Sequence, residues 1–190
     1  GEHQMPRVVT YLAERGLREK TAPQHWAASE AMPYQRTWEI PIGDLWVELD
    51  VHQRLVRWKE ITIDHRAILD RADRLEGNTL PLCAPEDLLI HTLIHAANEA
   101  FRVPLRSWVD VALLLKVPDL DWSAVVDRSH QWRVSPMVWA GLRIVHRWFE
   151  LSPPLGVLAC LRPPRPQATL LKKLTAHDGQ FPCRIQTATG

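Results

Sequence analysis

The sequence predicts an α+β fold: a small, mainly antiparallel sheet built on a hairpin near residues 34–55, then a C-terminal bundle of about five helices. Three observations carry this. Residues 45–52 alternate, with Leu45, Val47, Leu49 and Val51 on one strand face and Trp46, Glu48, Asp50 and His52 on the other. Gly43-Asp44 separates two strand-like runs as a two-residue loop with Gly first, which fits a type II′ turn. After Trp58 the apolar residues recur every three to four positions, and Pro, Asp or Ser stand where helices would begin.

The chain opens with a short helix from about Pro6 to Arg15, with Val8, Val9, Leu12 and Ala13 as its apolar stripe and Gly16 to end it. Residues 21–32 fit a strand or a loop equally. Tyr34 to Ile42 and Leu45 to about Leu55 form the hairpin arms, with Leu45, Val47, Leu49 and Val51 toward a core. Pro41 belongs at an edge or a bulge, and Trp38 and Trp46 can stack across or diagonally between the arms. Asp64 caps a helix running to Leu75, which Gly77-Asn78 ends. Ala84-Pro85-Glu86-Asp87 opens a stronger one, with two carboxylates near the positive end of the helix dipole and Leu88, Leu89, Leu93, Ile94 and Ala97 apolar. Helices follow over Leu105–Lys116, from Asp121 to about Trp132, from Ser135-Pro136 (which caps it) through Trp148, and over Leu155–Leu161. A weak helix near 170–174 precedes an irregular tail.

Composition excludes several classes. The 23 basic and 22 acidic side chains nearly cancel, so neither nucleic acid nor a membrane surface is favoured as the main partner. Cys83, Cys160 and Cys183 are odd in number and lack CxxC spacing, so neither a zinc site nor a disulfide framework follows, and a reduced, cytoplasmic setting is expected. No apolar run approaches the roughly 18 residues of a membrane span. No GxGxxG, GxxxxGK[ST] or GxSxG motif occurs.

Two constellations remain. Glu48 and Asp50, two residues apart on one strand face with His52 beside them, suit a shared Mg²⁺, or a solvated edge. His91 and His95 lie at i and i+4 on one helix face, a zinc-chelating spacing, but Thr92 stands where a metalloprotease helix carries its Glu. A polar seam in which His95 and Asp110 bond across two helices is the structural reading of the same residues.

Four segments together resemble a bacterial family of uncharacterised nucleotidyltransferases. They are Leu49-Asp50-Val51-His52 with Arg54-Leu55, Leu82 to His91 completed by His95, Arg106 to Leu114, and Asp121-Trp122 with Val125-Val126. They arrive in the family's order over residues 6–160. The resemblance implies a DNA-polymerase-β-like fold, in which a Gly-Ser turn, an Asp-x-Asp strand and a third carboxylate hold two Mg²⁺ for transfer of a nucleotidyl group from an NTP to an acceptor. It makes Asp50 the third carboxylate and metal ligand, and the strand spacing adds Glu48 as a metal ligand beside it. His52, His91, His95 and Asp110 take supporting places, and the nucleotide contacts and the acceptor are left open. No Gly-Ser turn with Asp-x-Asp precedes residue 50, where Asp44 is the only other Asp. The expectation is therefore an incomplete or degenerate enzyme: residues 1–60 a sheet remnant, 61–162 a helical subdomain, 163–190 a tail. A non-catalytic interaction or scaffold domain on the same fold is the alternative, and a metal-dependent hydrolase built on His91 and His95 is the third reading.

Overall fold

The computed structural model describes residues 5–20, 35–52, 55–56, 61, 63–73 and 81–176. The chain divides into two compact units, Gly1–Arg57 and Trp58–Gly190. The readings for residues 21–32, Gly77-Asn78 and the tail beyond 176 fall outside the described residues.

The first unit contains α1 (Met5–Glu14), β1 (Arg18–Glu19), β2 (Gln35–Ile42) and β3 (Leu45–His52). Gly16, at φ +80°, ends α1, and the following amide of Leu17 returns to the Leu12 carbonyl at 3.2 Å. The sheet is antiparallel in the order β1-β2-β3. Gly43 has φ +60° while Asp44 is not left-handed, as a type II′ turn requires. The turn closes the pair Ile42–Leu45, and every pairing down the hairpin follows from it: Pro41–Trp46, Glu39–Glu48, Thr37–Asp50.

That register places Pro41 in the central strand, not at an edge of the sheet. It is tolerated because Pro41–Trp46 is a non-hydrogen-bonded pair next to the closing one. The missing N–H therefore faces the β1 side, and β1 reaches only Trp38 and Glu39. The same register corrects the Trp38–Trp46 reading: Trp38 pairs with Leu49 and Trp46 with Pro41, so the two indoles lie on opposite faces. A second correction concerns burial. The alternation is as read, but Leu45, Val47 and Leu49 are exposed, Leu45 at 70%. The helix α1 packs against β1, and Leu17 and Trp38 are the buried apolar residues of this unit's described strands and turn. The far end of the apolar face, with Ile42, receives no covering layer from the described residues.

The second unit is helical: α2 (His65–Asp70), α3 (Pro85–Asn98), α4 (Leu105–Leu114), α5 (Trp122–Gln131), α6 (Ser135–Phe149), α7 (Val157–Cys160) and α8 (Arg165–Leu174). Asp64 caps α2, its Oδ1 accepting from the amides of Arg66 and Ala67 at 3.0 and 3.1 Å. Asp121 caps α5 through the Ala124 amide in the same way. Ser135 does not cap α6. Val134 holds that position, and the Ser135 hydroxyl bonds His130 Nδ1 at 3.0 Å. The last helix, α8, begins at Arg165, earlier than its weak pattern suggests.

The centre of this unit is α3, which packs on α4, α5 and α6. Leu89, Ile90, Leu93 and Ile94 are fully buried there, whereas Leu88 is exposed. Gly141 lets α6 approach: a Cβ at that position would sit 2.5 Å from Leu93 Cδ2. Trp108 fills the α4 side, edge-on to Trp148 at 5.5 Å between ring centroids. Asp87 is also buried, with Arg71 bonding both its oxygens (Nε–Oδ2 2.9 Å, Nη2–Oδ1 3.1 Å) and Arg128 bonding Oδ1 at 2.9 Å. No helix among the described residues is long and apolar enough to cross a membrane.

Candidate functional site

The polar face of the hairpin is built from the register outward. Because Ile42 pairs with Leu45, Thr37 comes opposite Asp50 and Glu39 opposite Glu48. The Thr37 hydroxyl donates to Asp50 Oδ1 at 2.6 Å. Nothing among the described residues bonds the other oxygen of Asp50, which is exposed. The short strand β1 brings Arg18 opposite Glu39 on the same face. Just beyond it the Lys20 amide bonds the Thr37 carbonyl at 2.9 Å. The Lys20 ammonium is thereby set between two carboxylates, bonded to Glu48 and 3.3 Å from Glu39. These hydrogen bonds, to Glu48 first and then Glu39, raise the Lys20 pKa above its ordinary 10.5. The Arg18 guanidinium lies over the Trp46 ring, 5.5 Å from its centroid.

One strand face thus carries, in order, an exposed indole, a carboxylate bonded to a lysine it shares with Glu39, and a carboxylate with one oxygen held by Thr37 and the other unbonded among the described residues. Glu48 and Asp50 are about 6–7 Å apart along the strand. His52 ends the row, half-buried opposite Gln35. The other sequence candidates belong to the second unit. His91 is half-buried on α3, and His95 and Asp110 are exposed on α3 and α4. No hydrogen bond joins His95 to Asp110, so the seam read from the sequence does not form. Among the described residues no group of three His, Cys, Asp or Glu side chains is arranged to hold a metal ion.

With this geometry in view, comparison with known families is decisive on one point. A family model described as an uncharacterised nucleotidyltransferase matches residues 1–150. The chain belongs to this family. No curated protein and no solved structure matches it. The nucleotidyltransferase-like family and the α+β architecture therefore stand together, and the match spans the sheet that carries Asp50 and the helices α2 to α6.

The Mg²⁺ that the sequence resemblance implies is a hard cation that takes oxygen ligands, keeps waters and can be held by one or two carboxylates plus substrate phosphates. The free oxygen of Asp50 fits one place in that set. Glu48 fits less well while Lys20 is bonded to it. Among the described residues the donor set is thus right in kind for a cation that arrives with a nucleotide's phosphates, and short in number for two protein-held metals.

The sequence alone did not reveal Thr37, Lys20 or Arg18 as members of this face. Thr37 was accessible in principle, since the type II′ turn fixes its partner as Asp50. Lys20 and Arg18 come from a two-residue strand, for which no periodicity exists to read.

Proposed function

We propose that this face is the nucleotide-binding face of a nucleotidyltransferase, taking an NTP with Mg²⁺ for transfer of a nucleotidyl group to an acceptor. The observation that carries the reading is Asp50: an exposed carboxylate, one oxygen fixed by Thr37 and the other unbonded among the described residues, in a chain of this family. Asp50 would be the protein ligand of the Mg²⁺, with the NTP phosphates and water completing its shell. The bound metal would neutralise phosphate charge as pyrophosphate leaves. The work of the chain's own residues is positional. Thr37 holds the rotamer of Asp50, and Lys20, set between Glu48 and Glu39, offsets part of the negative charge that would otherwise repel the triphosphate. No chemical step follows from a single available carboxylate, so turnover requires carboxylates other than those this face offers.

Calorimetric titration with an NTP and Mg²⁺ tests the reading. Saturable, Mg²⁺-dependent binding that Asp50→Asn abolishes supports it; equal binding by the variant removes Asp50 from the site.

A second reading has its own support. Ile42, Leu45, Val47 and Leu49 leave one contiguous apolar row on the opposite face, and such patches commonly mark protein contacts. An interaction domain that retains the fold without turnover would keep this row and would tolerate Lys20 among the carboxylates. It predicts no NTP binding.

A further inference from the structure

We infer that Trp46 is the base-stacking residue of this face, so that the ligand is read at both ends: nucleobase on Trp46, Mg²⁺-bound phosphates at Asp50. The inference rests on the nucleotide reading above and extends it to a residue that neither the family match nor the carboxylates assign.

The exposure of Trp46 is the first ground. The chain has nine tryptophans, and Trp26 and Trp58 lie outside the described residues. Of the others, Trp38, Trp108, Trp132 and Trp139 are buried, and Trp122 and Trp148 are half-buried. Among the described tryptophans Trp46 alone is exposed, at 54%, although indole is a costly surface to leave in water. It sits on the polar face, away from Trp38 and Leu49, and among the described residues its cross-strand partner Pro41 and the Arg18 guanidinium flank it without burying it.

Placement is the second ground. Trp46 and Asp50 are four residues apart on one strand, hence on the same face and about 13 Å apart. That is the order of separation between the base and the terminal phosphates of an extended nucleoside triphosphate. Between them lie Glu48 and Glu39, with Lys20 set between the two and Arg18 opposite Glu39, so two acids meet two bases where the ribose and inner phosphate would cross. Arg18 over the indole supplies the third ground. It steadies the ring and brings a cation beside an otherwise carboxylate-rich face. Pro41, directly across the hairpin from Trp46 and on the same face, fixes the backbone beside it.

Stacking accepts any base, because every base has a π-face, and favours the larger purines. The expected discrimination is therefore purine over pyrimidine, with no hydrogen-bond readout of the base edge.

The test compares two probes in the presence of Mg²⁺, a purine NTP and inorganic tripolyphosphate, by calorimetry with the full chain. In the wild type the NTP should bind roughly tenfold more tightly than tripolyphosphate. Trp46→Ala should erase that difference by weakening the NTP alone, and Trp46→Phe should retain most of it. Asp50→Asn should weaken both probes together. Equal affinity of the two probes for the wild type, or an Asp50-dependent NTP affinity that Trp46→Ala leaves unchanged, overturns the stacking role and spares the nucleotide reading. Absence of binding by either probe overturns the nucleotide reading and the stacking role with it. Trp46 is an exposed side chain, so its variants should keep the wild-type circular dichroism spectrum, and a changed spectrum contradicts the surface placement itself.

Discussion

Removing the Asp87 carboxylate should cost this protein more stability than any other single charge change in the helical unit. Its side chain is 1% exposed and is gripped by two guanidiniums, at three hydrogen bonds of 2.9–3.1 Å. Asp87→Ala leaves both arginines without their shared anion. Breaking a buried ion pair from one side typically costs about 3–5 kcal/mol. Here the lower end applies, because Arg71 is 31% exposed and can rehydrate, and Arg128 keeps Glu86 at 3.8 Å. A loss of about 3 kcal/mol should lower Tm by roughly 6–12 °C in a chain of this length. Thermal and urea unfolding followed by circular dichroism at 222 nm would measure it. A double-mutant cycle with Arg71→Ala should give a coupling above about 1 kcal/mol. A Tm within about 2 °C of wild type, with no coupling, would refute the claim that this clamp fastens α2 and α5 to the start of α3.

Other outcomes follow from individual contacts. Gly141→Ala drives a Cβ into Leu93 and should cost about 1–3 kcal/mol in urea unfolding, and pairing it with Leu93→Ala should recover part of that loss. Asp64→Ala removes two capping bonds from α2 and should cost about 1 kcal/mol, read by the same unfolding curves. Lys20 has a raised pKa, so its ion pair contributes fully below pH 10.5 and is lost as pH rises through the folded value above that. The Tm difference between wild type and Lys20→Gln should therefore be constant through neutral pH, shrink only in strong alkali, and diminish in molar salt. A difference that vanishes between pH 6 and 8 would assign the effect to another group.

The sequence is legible where the signal is local. The two-residue turn at Gly43-Asp44 set the hairpin and its register, and Asp64 and Asp121 announced the helices they cap. Pro85 did the same for α3. What could not be read depends on partners distant along the chain. Two carboxylates at the start of α3 look like dipole stabilisers, and nothing near Asp87 reveals that Arg71 and Arg128 converge on it from 16 and 41 residues away. The alternation over residues 45–52 gives the two faces of β3 but not which face is covered, since burial is decided by the layer that packs against it. The apolar row therefore read as core and stands exposed, while Asp50 read as a metal ligand or a solvated group and is an exposed carboxylate steadied by Thr37.

The central claim, that Asp50 holds the cation of a bound nucleotide, is tested most directly by electron paramagnetic resonance of Mn²⁺ in place of Mg²⁺. With protein and NTP together the account predicts a ternary signal distinct from that of Mn²⁺–NTP alone. That signal should be lost in Asp50→Asn and kept in His91→Ala and His95→Ala. A signal that survives Asp50→Asn and disappears with either histidine would contradict the account and move the metal to α3.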